Sequence, residues 1–353
     1  MRSLRLAVPV LLAVLASIPH PAPGQPLGGR IDGRVMDRRG EPLAGIELHL
    51  RGEALPPGRW SVTGPDGGFR FLHLPPGTYD LTVSGESWAT LEQTQVEVRL
   101  GQSVFLDLEM IRALDDDEDE VVITGWAPVL DVGSISVETG FPRPLFERLP
   151  LPRAFDGVLP LIPGALPVGG PAPAVHGAGP LESRYFLDGL EATDPVSGAP
   201  SLLLPWELVG DARAVTGGYP ASRQGALGGV VDLVTRPGGQ GLRVTVFAWG
   251  TGEELAEDSP GFLDVDAGLT VGGTLVRDRL WGFAGGDFRR REGRQELFGP
   301  GARETETFYY LARLDVEPAA AHRLALSATG DPTDLTFRLG SDEDPGELEL
   351  ETG

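Results

Sequence analysis

The sequence predicts a mainly β protein built as three successive units, and three observations carry that prediction. Fifty glycines and thirty-two prolines in 353 residues leave few windows able to sustain a long helix. Between these breakers, short runs alternate apolar and polar positions, as Val104, Leu106 and Leu108 do against Phe105, Asp107 and Glu109. Past residue 242 the runs lengthen while the alternation persists. There Phe308, Tyr310, Ala312, Leu314 and Val316 are set against Tyr309, Leu311, Arg313, Asp315 and Glu317.

The chain opens Met1-Arg2-Ser3-Leu4-Arg5, runs apolar from Leu6 to Ile18, and reaches Ala22-Pro23-Gly24 before Gln25. A basic head, an apolar stretch too short to span a bilayer and a small-residue exit predict a secretory signal peptide over residues 1–24. No cysteine occurs, which excludes disulfides, thiolate catalysis and cysteine metal sites. Every basic side chain is arginine, and neither lysine nor asparagine appears, so phosphate-loop lysine and Schiff-base chemistry are excluded too. A formal charge of -22 repels polyanions and argues against nucleic acid as a partner.

Residues 25–111 read as a β-sandwich of seven strands: Ile31–Met36, Ile46–Leu50, Trp60–Thr63, Phe69–Leu72, Tyr79–Val83, Gln95–Leu100 and Val104–Met110. Turn chemistry separates them, in Asp37-Arg38-Arg39-Gly40, Pro65-Asp66-Gly67-Gly68 and Pro75-Pro76-Gly77-Thr78. This pattern resembles the carboxypeptidase regulatory-like domain, a transthyretin-like or Ig-like sandwich that is an accessory and not a catalytic domain.

Residues 112–120 hold the acidic run Asp115–Glu120, whose like charges resist packing and predict a solvated linker. Val121-Val122-Ile123-Thr124 follows at once. Such a tetrapeptide serves as the first strand of the next unit, or it adds as an edge strand to a partner's sheet through backbone hydrogen bonds.

Residues 121–239 contain the most informative stretch. It reads Arg184-Tyr185-Phe186-Leu187-Asp188-Gly189, then Val215-Thr216-Gly217-Gly218-Tyr219, then Gly228-Gly229-Val230-Val231-Asp232-Leu233-Val234-Thr235. Short strands broken by glycine pairs predict a tightly turned sheet, with Asp188, Gly189, Gly217, Gly218, Gly228 and Gly229 as turn residues. The three submotifs, in this order, are similar to the plug domain of TonB-dependent outer-membrane receptors. The sequence departs from that pattern at Asp232, where the family has asparagine, and at Arg223-Gln224-Gly225, where it has Glu-Tyr-Gly. Leu149–Phe155 and Leu159–Gly164 resemble the plug's short helix and following loop, and Gly169–Gly177 reads as an exposed loop entering a strand. Within the resemblance, Glu120, Val121, Val122, Ile123 and Thr124 match the TonB box, the docking segment for a TonB-type energy-transducing protein.

Residues 240–353 read as amphipathic strands at Leu242–Trp249, Val265–Val276, Leu280–Arg290, Phe308–Glu317 and Arg323–Thr329, with a lipid side and a lumen side. The resemblance implies a barrel of roughly 22 strands around a plugged lumen. The residues after 239 suffice for roughly five, and Leu350–Gly353 lacks the expected terminal aromatic, so the expectation is an incomplete antiparallel transmembrane β-barrel and a chain that is a fragment or a truncated product.

His20, His49, His73, His176 and His322 show no metal-ligand spacing, and no Gly-x-Ser-x-Gly elbow occurs. No enzyme, cofactor or metal is therefore expected. The family resemblance implies outer-membrane location, with sandwich and plug facing the periplasm. It also implies contact with membrane lipid and energy-dependent uptake of a small-molecule, saccharide or peptide ligand. The alternative is a non-transporting periplasmic or surface interaction module built from the same sandwich and plug.

Overall fold

A computed structural model describes residues 28–55, 58–112, 136–146, 148, 152–168, 172–219, 223, 225–252, 262–277, 279–295, 301–319, 322–339 and 350–352. The expected signal peptide, the acidic run and Glu120–Thr124 lie outside the described residues.

The N-terminal sandwich comprises β1 (Gly29–Asp37), β2 (Glu47–Gly52), β3 (Arg59–Val62), β4 (Gly68–Leu74), β5 (Gly77–Gly85), β6 (Trp88–Val98) and β7 (Ser103–Met110). Its two sheets run β4-β1-β7 and β3-β2-β5-β6, with β1 and β7 parallel. Alternation places Val104, Leu106 and Leu108 inside and Phe105, Asp107 and Glu109 outside. They join Ile31, Leu48, Leu50, Leu81 and Val83 in one apolar core. Removing such side chains from water is the main force holding a domain of this size together. The first turn closes on Asp37, whose carboxylate accepts the N–H groups of Arg39 and Glu41 at 2.8 and 2.9 Å.

Strand β6 begins at Trp88, well before the expected Gln95. The reason is a bulge. Gln95 stands at φ 59, and its N–H donates to the Asp80 carboxylate at 3.0 Å across the register shift beside Tyr79. A bulge breaks the two-residue period that marks a strand in sequence.

The central unit comprises β8 (Val137–Pro142), a single helical turn α1 (Arg143–Phe146), β9 (Ala165–Leu166), β10 (Ala174–Val175), β11 (Arg184–Leu187), β12 (Leu190–Glu191), β13 (Val209–Gly217) and β14 (Val230–Thr235). Its main sheet runs β12-β11-β14-β13-β8, parallel only between β11 and β14. Every residue of β14 is buried, as the middle strand of a covered sheet requires. Helical turns fall at Arg143–Phe146 and, as 3-10 turns, at Phe155–Leu161 and Pro180–Glu182. Of the expected helix at Leu149–Phe155, residues 149–151 lie outside the described residues and 152–154 are not helical, while the second turn runs into the expected loop at Leu159–Gly164. Gly157 and Pro160 deny the second segment an α-helical ladder. Burial of Phe155, Val158 and Leu159 holds it in the core all the same.

A long-stranded antiparallel meander follows: β15 (Arg243–Gly252), β16 (Leu263–Val276), β17 (Leu280–Gln295), β18 (Gly301–Ala319), β19 (His322–Gly330), β20 (Thr333–Leu339) and β21 (Leu350–Thr352). Strands β19 and β20 lie in succession along β18, since Tyr310 pairs with Gly330 and Thr307 with Thr333. They are two halves of one strand, interrupted at Asp331-Pro332, where Asp331 turns to accept the Leu203 N–H at 3.2 Å. The expectation at Arg323–Thr329 covered only the first half, because proline and the adjacent aspartate end the alternating pattern. Among the described residues the sheet is open, with β15 at one edge and β19 and β21 along the other.

The meander reverses the sense of the sandwich. Val246, Leu269, Phe308, Tyr310, Leu314 and Leu326 are exposed, whereas Asp266, Thr270, Asp287, Arg289, Thr307 and Asp315 are buried. The buried side faces the central unit, and Phe283, Tyr309 and Leu311 complete that unit's core. Contact is close at Gly285, where a Cβ would fall 2.4 Å from Leu208 Cδ2.

Candidate functional site

The turn between β11 and β12 joins the central unit to the meander wall. Asp188 takes φ 47 and Gly189 φ 80, a pair of positive values that a short polar side chain and a glycine tolerate. The Asp188 carboxylate accepts the Thr235 N–H at 2.9 Å and the Thr235 hydroxyl at 2.6 Å, tying the turn to the end of β14. Arg313 of β18 then donates to the Thr235 carbonyl and hydroxyl, both at 2.9 Å, and reaches Asp188 at 3.4 Å. Its own strand neighbour Asp315, fully buried, holds the guanidinium at 3.0 Å. Charge-assisted bonds with several acceptors fix an arginine in one pose. The turn and the wall are thus locked by one cation.

A second cluster lies on the opposite face of the sheet. Asp232 is buried and accepts from Arg213 at 2.9 Å and from Arg223. Arg213 also pairs with Glu138 of β8 at 3.3 Å, and Arg223 lies over the Phe186 ring at 3.8 Å. Arg223 and Asp232 are two of the three positions at which the sequence departs from the plug pattern, Gln224 being the other, and here each is the other's partner. An unpaired buried charge is costly, so each member of the pair makes the other tolerable.

The remaining turn residues sort by geometry. Gly218, at φ 69, ends β13. A side chain at Gly228 would meet Ser183 Oγ at 2.9 Å and Ala178 Cβ at 3.1 Å, whereas Gly217 and Gly229 meet only ordinary contacts beyond 3.4 Å. The Tyr219 hydroxyl donates to the Ala226 carbonyl at 2.7 Å and closes the intervening loop.

Two further residues were not singled out in the sequence. Arg153 pairs with Glu207 and reaches Asp266 of the wall at 3.6 Å, with its guanidinium over Trp249 at 4.3 Å. Asp211, at a bulge in β13, accepts the Ala212 N–H and, from the sandwich, the Leu100 N–H, both at 3.0 Å. Burial pushes its carboxyl up to about 6, against the opposing pull of these two N–H groups and of Arg99. Both residues bind across units, so no local spacing marks them.

The arrangement offers little for bond chemistry. Burial pushes the Tyr185 hydroxyl up to about 12, far from acid–base work near neutrality. Among the described residues no group of three or more His, Asp or Glu side chains is placed to hold a metal ion, and no helix is long and apolar enough to cross a membrane. A cavity of about 510 Å³ opens between Leu203 and the wall residues Arg289, Arg291, Thr305, Thr307 and Tyr309.

Residues 30–111 match the carboxypeptidase regulatory-like domain. Over 280 residues, 72% of this chain, the sequence is 29% identical to the TonB-dependent transporter Oar of Myxococcus xanthus. The family it resembles is that of the TonB-dependent receptors. The chain spans 26% of the length of that TonB-dependent relative. Among solved structures, it is similar to the siderophore receptor PirA of Acinetobacter baumannii, with 16% identity and a TM-score of 0.44, covering 57% of this chain and 31% of that one. It is also similar to the outer membrane transporter YddB of Escherichia coli, with 18% identity and a TM-score of 0.44, covering 58% and 34%. These TonB-dependent and outer-membrane proteins are transporters and receptors, not enzymes.

Proposed function

We propose that this chain is the N-terminal part of a TonB-dependent outer-membrane receptor or transporter that gates energy-dependent uptake of a small-molecule, saccharide or peptide ligand. In this reading the central unit is the plug and the meander is the first part of the barrel wall. Sandwich and plug face the periplasm, and residues 1–24 direct export. Glu120–Thr124 dock as an added strand on a TonB-type energy-transducing protein. No covalent step is involved: ligand binding and a pull on the docking strand shift the plug between closed and open arrangements.

The observation that supports this reading most is the reversed alternation of the meander. Val246 is 77% exposed and Leu326 67%, while Asp287 and Asp315 are buried on the other side. An apolar outer band over a polar inner wall fits strands with lipid outside and a plug inside. A water-soluble interaction module built from the same parts would leave that band in water.

The test exploits the absence of native cysteine. Val122→Cys supplies a single thiol in the docking segment. In cells carrying a TonB-type protein with one cysteine near its strand-accepting edge, we expect a disulfide-linked product. Adding Ile123→Pro, which removes a backbone donor next to that thiol, should abolish it. Cross-linking that survives the proline, or none at any position from 121 to 124, sinks the docking assignment.

A further inference from the structure

We propose that the sandwich acts as a clamp on the edge of the central sheet, holding β8 and β13 together until the sandwich is released. The inference extends the transport reading, in which β8 is the first described plug strand that a pull on the docking segment reaches.

Among the described residues, strand β8 is the outermost strand of the central sheet and pairs only with β13. An edge strand held by one ladder is the member of a sheet that leaves most easily. The sandwich covers this edge with one tight turn, Arg99–Gln102. The turn is closed by its own bonds, from the Arg99 N–H to Gln102 Oε1 and from the Gln102 N–H to the Arg99 carbonyl, each 3.1 Å. Three of its parts grip the sheet. Leu100 is 3% exposed and donates its N–H to Asp211, itself 4% exposed. Gly101, at φ +70, leaves room for the Arg213 guanidinium, which a Cβ there would meet at 1.7 Å. The Arg99 side chain lies against Gly140 of β8, 3.4 Å from where a Cβ would stand.

Arg213 connects these grips to the sheet interior. Its guanidinium pairs with Glu138 on β8 and Asp232 on β14, so the side chain beneath the sandwich turn spans three adjacent strands. Movement of β8 away from β13 must separate Glu138 from Arg213 and drag Gly140 from under Arg99. A second contact sits farther along, where Glu53 pairs with Arg243 at 2.8 Å and Gln240 donates to the Gly52 carbonyl at 3.4 Å. The sandwich therefore bears on both the sheet edge and the start of the meander. The buried Asp211 bond is the contact whose loss should matter most, because a buried donor left unpaired is expensive.

The experiment is hydrogen exchange on the full chain in detergent micelles, reading β8 and, as an internal control, β2 and β5. Arg99→Ala and Gly101→Val alter the clamp from the sandwich side and leave every residue of the central sheet in place. Asp211→Ala alters it from the other side. We expect at least about ten-fold faster exchange in β8 for Gly101→Val and Asp211→Ala, a smaller acceleration for Arg99→Ala, and unchanged β2 and β5. If Asp211→Ala alone speeds β8, Asp211 is only a local cap of Ala212 and the clamp is refuted. If Gly101→Val also loosens β2 and β5, Arg99→Ala decides, and unchanged β8 exchange there refutes the clamp. No uptake is measured, so failure here leaves the transport reading standing, and failure of the cross-link leaves the clamp standing.

Discussion

The sandwich and the meander are written in the same two-residue period and buried in opposite senses. In β7 the apolar set Val104, Leu106 and Leu108 faces inward and the charges face out. In β18, Phe308, Tyr310 and Leu314 face out, while Thr307, Tyr309 and Asp315 are buried. The period fixes that a segment is a strand with two unlike faces, but not which face meets the core. What decides is the neighbour: an opposing apolar sheet in one case, and in the other the central unit, which takes Phe283, Tyr309 and Leu311 into its core and leaves the meander's other face uncovered among the described residues.

The largest effect that tests this contrast is a truncation made on each side. Leu106→Ala opens a cavity in the sandwich core and should cost about 2–5 kcal/mol, read as a lowered melting transition. Leu326→Ala, on the exposed face of β19, should stay within about 0.5 kcal/mol for the same protein in detergent. Comparable losses at both would mean that the meander's outer face is packed against protein.

A charge placed outside sharpens the comparison. Leu269→Arg on β16 should cost about 2–4 kcal/mol of membrane assembly if the band meets hydrocarbon. The readout is the fraction of protein recovered folded in outer membranes. Phe105→Arg on the exposed face of β7 should leave that fraction unchanged. Equal recovery of both variants would remove the lipid face.

The smallest effect concerns the seam between sandwich and central sheet. With its folded value raised to about 6, Asp211 contributes most when protonated. Its contribution is complete below the ordinary aspartate range and is lost as pH rises through about 6. Arg99 opposes this shift and Glu97 reinforces it. From about pH 7.5 to about pH 5.5 the seam should tighten by about 1 kcal/mol. Leu100 amide protection, corrected for intrinsic exchange, reports it, and Asp211→Asn should flatten the trend.

What could be read from sequence follows the range of the interactions involved. Strands with an unbroken period, such as β7 and β18, were legible, as was the Asp188-Gly189 turn, whose chemistry is local. The start of β6 was not, because Gln95 at φ 59 interrupts the period with a bond to Asp80 on another strand. Nor was the second half of the strand beside β18, hidden behind Asp331-Pro332. The role of Asp211 depends on a donor 111 residues away, and nothing in Val209-Gly210-Asp211 announces it. The departures at Arg223 and Asp232 were visible singly; that they compensate each other became visible only with both in one cluster.

The shared core of the central unit and the meander has a consequence for the order in which the molecule is completed. The sandwich draws every member of its core from residues 31–110, so it can condense as soon as that stretch has emerged. The central unit cannot finish in the same way. Its core includes Phe283, Tyr309 and Leu311, and the Asp188 turn awaits an arginine 125 residues farther along. Contacts this distant in sequence form late. A folding chain therefore passes through a stage with one finished domain and one unfinished, its meander strands still unplaced and their apolar band exposed. That is the interval in which it is most open to proteolysis and aggregation.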